Sequence, residues 1–189
     1  SYISSNVANA RLLQSDFAYT GGDVNVDAYI ALAYGEKDVD YTVTYPTDIK
    51  SVGAKKITLT AKPDSAYYTG SVQLTYNIKY DLNDAEISLS GTGITYGADG
   101  VYRAAYTGSD ISFSVTVVCG GKTVPSASLA IDPSSKTVKN VGTHTITISK
   151  GETATDVMGD PQTIELEVSG IDITDYYRAF KQSNGSYAD

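Results

Sequence analysis

Apolar and polar residues alternate with period two along most of this chain, the signature of half-buried strands. "DYTVTYP" sets Tyr41, Val43 and Tyr45 on one face, "KKITLTA" sets Ile57 and Leu59, and "SVQLTYNI" sets Val72, Leu74, Tyr76 and Ile78. Further on, "ASLAIDP" aligns Ala127, Leu129 and Ile131, "HTITISK" aligns Ile146 and Ile148, and "TIELEVSG" aligns Ile164, Leu166 and Val168. Turn formers separate these runs at short, regular intervals: Gly21-Gly22, Gly35, Pro46, Gly53, Pro63-Asp64, Gly120-Gly121, Pro133, Gly142 and Gly151. Many short strands punctuated in this way predict an all-β protein built as antiparallel sandwiches. No segment carries an apolar stripe at helical spacing.

The two halves overlay in the same order. "ANARLL" matches "NDAEISL", Gly35 matches Gly120, "YTVTYP" matches "ASLAIDP", "SVGAKKITLT" matches "NVGTHTITIS", and "LTYNI" matches "IELEV". One insertion, "GTGITYGADGVYR", interrupts the correspondence early in the second half. This predicts two tandem copies of one sandwich, residues 1–80 and 81–174, with a tail or the start of a further element over 175–189. The linker "NIKYDLNDAE" has no Gly/Ser tract, so it predicts a stiff end-to-end joint with a small polar contact.

Tyr-Thr-Gly occurs three times, at Tyr19-Thr20-Gly21, Tyr68-Thr69-Gly70 and Tyr106-Thr107-Gly108. Each copy precedes alternating residues and is expected to open a strand. Glycine frees the backbone at the turn, and the tyrosine is expected to pack on the rim with its hydroxyl in water.

Composition narrows the chemistry. The 189 residues include 16 Tyr, 3 Phe and no Trp, and the formal net charge is −8. An acidic chain lacks the basic footprint that nucleic acid or an anionic membrane needs. Nothing reads as a signal peptide or a membrane span, which suits a mature chain or a piece of a longer one. Cys119 is the lone cysteine and His144 the lone histidine, which excludes an internal disulfide and a His/Cys zinc site. His144 lies within a strand pattern, and no nucleophile elbow accompanies it, so no catalytic residue is expected.

Two groups of residues carry candidate binding chemistry. At the junction of the halves, Asp81, Asn83 and Asp84 offer hard oxygen ligands of the kind Ca²⁺ prefers; the same residues also suit a polar turn. Asp99 and the stretch with Glu152, Asp156 and Asp160 read as solvated loops. Among the tyrosines, Tyr96, Tyr102, Tyr176 and Tyr177 look least like core and are candidate ligand-binding platforms. Lys37, Lys55, Lys56, Lys122 and Lys139 sit beside turns or at strand edges, where exposure is expected and an intramolecular isopeptide bond is not.

"YTG", "DYTVTY", "SVGAKKITLT" and "YYTGSVQLTYNI" resemble the immunoglobulin-like repeats of large surface proteins from gut Firmicutes. The first half matches nearly every element of that repeat. The second keeps "YTG" and "VGTHTITI" but has "SASLAIDP" for "DYTVTY" and lacks the later Tyr-Thr-Gly. The resemblance implies a non-catalytic pair of immunoglobulin-like modules from a bacterial extracellular, wall-attached or secreted protein. Such modules act as spacer, stalk or adhesion surface, with neighbouring domains of a longer chain and a host or bacterial surface protein or glycan as partners. A carbohydrate-binding or accessory module of an extracellular glycan-degrading enzyme is the alternative.

Overall fold

The computed structural model describes residues 9–175 and 177. The first half carries β1 (Arg11–Leu12), β2 (Asp16–Ala18), β3 (Ile30–Ala31), β4 (Tyr41–Thr44), β5 (Gly53–Ala61) and β6 (Ser71–Asp81). The second carries β7 (Glu86–Ser90), β8 (Thr95–Tyr96), β9 (Tyr102–Ala105), β10 (Ile111–Ser112), β11 (Ser114–Cys119) and β12 (Lys122–Thr123). It continues through β13 (Leu129–Asp132), β14 (Thr137–Val138), β15 (Gly142–Lys150), β16 (Val157–Met158) and β17 (Gln162–Ser169). Short 3₁₀ turns at Asp27–Tyr29, Leu82–Asp84 and Ser126–Ser128 interrupt the strands, and residues 173–175 and 177 are helical. The chain is all-β with several sheets, as the alternation predicts.

The alternation has direct physical consequences in β5 and β6. Ile57 and Leu59 on β5 and Tyr76 and Ile78 on β6 are fully buried, while the residues between them face outward. Full burial of each aliphatic side chain stabilises the fold by about 1.5–3 kcal/mol. Ile146, Ile148, Leu166 and Val168 repeat the pattern on β15 and β17. Buried hydrophobics form two clusters, one around Phe17, Ile57, Leu59 and Tyr76 and the other around Leu82, Phe113, Val117, Ile146 and Leu166. Tyr19 packs against both.

The sheets are mixed, which corrects the antiparallel expectation. β4, β5 and β6 pair antiparallel, as do β13, β15 and β17. However, β2 runs parallel to β6, and β9 runs parallel to β17 in the equivalent place. Period-two alternation is the same in either orientation, so it could not have distinguished them.

These parallel pairs also correct the reading of Tyr-Thr-Gly. The Tyr19 N–H donates to the Lys79 carbonyl at 2.7 Å, and the Tyr106 N–H donates to the Ser169 carbonyl at 2.9 Å. Both copies therefore close a parallel strand instead of opening an antiparallel one. Only Tyr68-Thr69-Gly70 leads straight into a long strand, β6. Its tyrosine is 3% exposed, and the hydroxyl is not in water. It donates to the Tyr34 carbonyl at 2.6 Å and accepts from the Tyr34 N–H at 2.8 Å.

The halves meet through an interlocked seam. β6 runs out of the first cluster, and its last residues, Tyr80 and Asp81, pair with Val157 and Met158 of β16. Tyr80 and Leu82 are buried in the second cluster, and Val52 from the turn before β5 packs against it. The Tyr19 and Tyr80 rings meet edge-on, with centroids 5.6 Å apart. The contact is thus largely apolar, where a small polar one is expected from the linker's composition. The reason is that Tyr80 and Leu82, read as linker, continue the inward face of β6.

Candidate functional site

The insertion "GTGITYGADGVYR" folds as a hairpin at the edge of the larger second-half sheet. β8 and β9 pair antiparallel with Tyr96 opposite Tyr102. The turn is closed by Gly97 N–H to the Val101 carbonyl and Gly100 N–H to the Gly97 carbonyl, both 2.9 Å. Gly100 has φ +80°, a conformation that favours glycine. Cross-strand pairing brings the two rings to 4.6 Å between centroids, tilted by 42°. Tyr96 is 65% exposed and Tyr102 half-buried.

Charged side chains fix the hairpin beside these rings. Arg103 grips Asp99 with two hydrogen bonds of 3.0 and 2.8 Å and reaches Glu167 at 3.3 Å through Nε. The Arg103 bonds hold the Asp99 carboxyl below its ordinary range, and Asp99 raises the guanidinium in return. Asp99 thus lies in an exposed turn, as the sequence suggests, and is tied there into a surface ion pair. Tyr96 and Tyr102 line a shallow cleft of about 400 Å³ with Ile87, Thr163, Ile164 and Glu165. An aromatic wall beside hydroxyls and a carboxylate can hold a flat, polyhydroxylated ring by stacking and hydrogen bonding. Of the other tyrosine candidates, Tyr177 is exposed and Tyr176 lies outside the described residues.

At the seam, the candidate calcium ligands are engaged with protein groups. The Asp81 side chain accepts the Asn83 N–H at 3.0 Å, capping the 3₁₀ turn. Asn83 Oδ1 accepts the Asp160 N–H at 3.2 Å and Gln162 Nε2 at 3.3 Å. Asp84 is exposed. Among the described residues, no group of three or more His, Cys, Asp or Glu converges. In the stretch expected as a solvated loop, Glu152 and Asp160 are exposed, whereas Asp156 is docked: its carbonyl accepts the Tyr80 N–H at 2.9 Å. Asp156 Oδ2 accepts the Ser128 hydroxyl at 2.8 Å.

The remaining candidates have local roles. Cys119 is buried at the end of β11 and donates to the Asp81 carbonyl at 3.3 Å, and burial pushes its thiol up. His144 Nε2 donates to the Asn140 carbonyl at 2.6 Å. Lys55 departs from the expected exposure: its side chain is only 10% exposed and is held by Asp48 at 3.1 Å and Ser51 at 3.0 Å. Lys37 pairs with Asp27 at 2.7 Å and lies over the Tyr45 ring. The hydrogen bond to Asp27 raises the Lys37 ammonium above its ordinary value. Neither contact set includes an asparagine amide.

Sequence reasoning missed a second aromatic surface. Tyr34 and Tyr67 stack with centroids 5.7 Å apart and planes 18° from parallel, and they are 54% and 48% exposed. The doublet Tyr67-Tyr68 gave no parity signal, because Tyr67 lies in a bend before β6 and its ring also meets that of Tyr68, with centroids 6.2 Å apart. Compared with known proteins, the chain matches no family model and no curated sequence. No helix among the described residues is long and apolar enough to cross a membrane.

Proposed function

We propose that the chain is a tandem pair of immunoglobulin-like β-sandwich modules, residues 1–80 and 81–174, of a bacterial extracellular or cell-surface protein. The pair acts without catalysis as a spacer or adhesion surface that presents neighbouring domains of a longer chain to a host or bacterial protein or glycan. The observation that carries this reading is the repetition of one pairing scheme. β4-β5-β6 with β2 parallel to β6 recurs as β13-β15-β17 with β9 parallel to β17. The junction between the two schemes leaves little slack, because Tyr80 and Leu82 are already buried in the second cluster. Small-angle scattering is expected to give a maximum dimension near twice that of one sandwich. A compact, nearly spherical envelope overturns the spacer reading.

Carbohydrate recognition is the second reading, favoured by the Tyr96–Tyr102 pair and its cleft. Exposed aromatic pairs bind sugar rings through their apolar faces, and each such ring is worth about 1–3 kcal/mol when desolvated by a ligand. A glycan array with binding that Tyr96→Ala abolishes supports it. An array without signal removes it.

A further inference from the structure

The cleft beside Tyr96 and Tyr102 is a notch in the edge of a sheet, and strand pairing explains its position. β9 lies against β17 only from the Tyr102–Leu166 pair onward, so the β17 residues before Leu166 have no strand on that side. Across the same edge, the Ser169 carbonyl accepts the Tyr106 N–H. Every second residue of a strand turns its backbone groups to the same edge, so the N–H groups of Glu165 and Thr163 open onto the notch. Side-chain parity sorts the walls. Tyr102 and its cross-strand partner Tyr96 share the face of Leu166, whereas Thr163 and Glu165 lie on the other face. A ligand in the notch therefore meets aromatic rings on one side and a hydroxyl and a carboxylate on the other.

Charge decides which ligand this arrangement favours. Arg103, the cation on the neighbouring strand, is already held by Asp99 and Glu167. Among the described residues, no ion pair or hydrogen bond engages the Glu165 carboxylate. The surroundings act in the same sense. Residues 81–174 hold twelve Asp and Glu against five Lys and Arg, while residues 1–80 hold eight against seven. Nearly all of the net charge of −8 thus lies in the half that carries the notch. A cleft with a negative wall in such a field concentrates cations. One carboxylate is too few for calcium, which takes about six to eight oxygens. An ammonium group needs only one, and the hydrogen bond between two charged groups is the stronger kind.

We infer that the notch selects sugars that carry a free amine. The Tyr96 and Tyr102 rings cover the apolar face of a hexosamine ring, and its ammonium meets the Glu165 carboxylate. The open N–H groups of Glu165 and Thr163 donate to the sugar's oxygens. At about 400 Å³ the cleft has the size of a small-ligand site. This rests on the carbohydrate reading above and adds the charge of the ligand to it.

Titration calorimetry of the full chain with three β-1,4-linked oligomers of equal length tests it. They differ only at carbon 2 of each unit: glucosamine carries an ammonium, N-acetylglucosamine an amide and glucose a hydroxyl. At a pH where its amines are protonated, the glucosamine oligomer is expected to bind about tenfold tighter than the other two, the scale of one hydrogen bond to a charged group. Glu165→Gln changes an exposed side chain without changing its shape, and it is expected to abolish that preference while leaving the neutral oligomers unaffected. Glu152→Gln removes the same charge beside β13, at the far edge of the same sheet, and is expected to preserve it. Equal affinity for the three oligomers overturns the inference but leaves the carbohydrate reading standing. A preference that falls as much with Glu152→Gln as with Glu165→Gln overturns it too, since the general field then does the selecting. Binding of a short lysine peptide in place of the glucosamine oligomer overturns it in favour of a protein partner. Binding of no oligomer also overturns it, and the glycan array then decides the carbohydrate reading separately.

Discussion

Adjacent glycines at the seam provide a controlled test of how tightly the two halves are held. Gly120 and Gly121 both have positive φ, +55° and +79°. Replacing either with alanine carries the left-handed penalty of about 1–2 kcal/mol. Their surroundings differ: nothing lies within 4 Å of a side chain at Gly121, whereas one at Gly120 meets Thr20 and Tyr19 backbone atoms at 2.8 Å. Backbone cannot swing aside as a side-chain tip can, so the halves must shift apart or the turn must distort. Overpacking of this kind adds about 1–3 kcal/mol. Gly120→Ala is therefore expected to destabilise by about 2–5 kcal/mol and Gly121→Ala by about 1–2 kcal/mol. Urea denaturation gives the free energies, and a paramagnetic label in one half read by nuclear resonances in the other reports the spacing. Only Gly120→Ala should weaken the transmitted relaxation. Equal destabilisation by the two variants, with unchanged spacing, would show that the seam is not a fitted contact.

Four further outcomes follow from single groups. Tyr68→Phe leaves the Tyr34 N–H and carbonyl without their partner and is expected to cost about 2 kcal/mol, whereas Tyr76→Phe deletes a buried hydroxyl that has no protein partner and should be neutral or stabilising by up to about 1 kcal/mol. Equal losses in urea melts would refute this assignment. Burial works against ionisation of Asp16, but its bonds to Lys79 at 2.8 Å and Asn77 outweigh it and lower the carboxyl. Its contribution is therefore present above the unfolded pKa and lost as pH falls through the folded one. Because the pair is partly solvated, this amounts to less than about 1 kcal/mol, and Asp16→Asn should flatten the acid limb of stability against pH by that amount; an unchanged limb counts against the pair. Cys119 should react with a thiol reagent only as fast as the second core opens, and rapid labelling of the native chain would contradict its burial. EDTA should leave the melting temperature unchanged, since Asp81 and Asn83 oxygens already accept protein N–H groups; a fall would restore the calcium reading.

What was legible in the sequence follows from what alternation encodes. Ile57, Leu59, Ile146, Ile148, Leu166 and Val168 face inward as read, because a side chain's face depends only on its parity along the strand. Strand direction is not encoded in parity, so the parallel β2–β6 and β9–β17 pairs were invisible. The same blindness misassigned Tyr19 and Tyr106, which end those pairs. Tyr96 and Tyr102 were singled out because their insertion lacks a core pattern, and the hairpin does bring the two rings together. Tyr34 and Tyr67 were missed because they lie 33 positions apart in the sequence and meet only when two loops converge at one end of the fold.

The parallel strands also determine how the chain responds to being pulled. Tension applied at the two ends draws β2 backwards while drawing β6 forwards, because the two strands run side by side in the same direction. Once the two-residue β1 has let go, the load falls along the strand axes. The bonds from Asn77 N–H to the Ser15 carbonyl and from Tyr19 N–H to the Lys79 carbonyl then resist together. An antiparallel hairpin loaded at its open end would instead unzip one bond at a time. In the second half, β9 and β17 repeat the arrangement from Tyr102 to the Tyr106–Ser169 bond. Each half thus carries a shear clamp between an early strand and its last one, and the two clamps lie in series along the line of force.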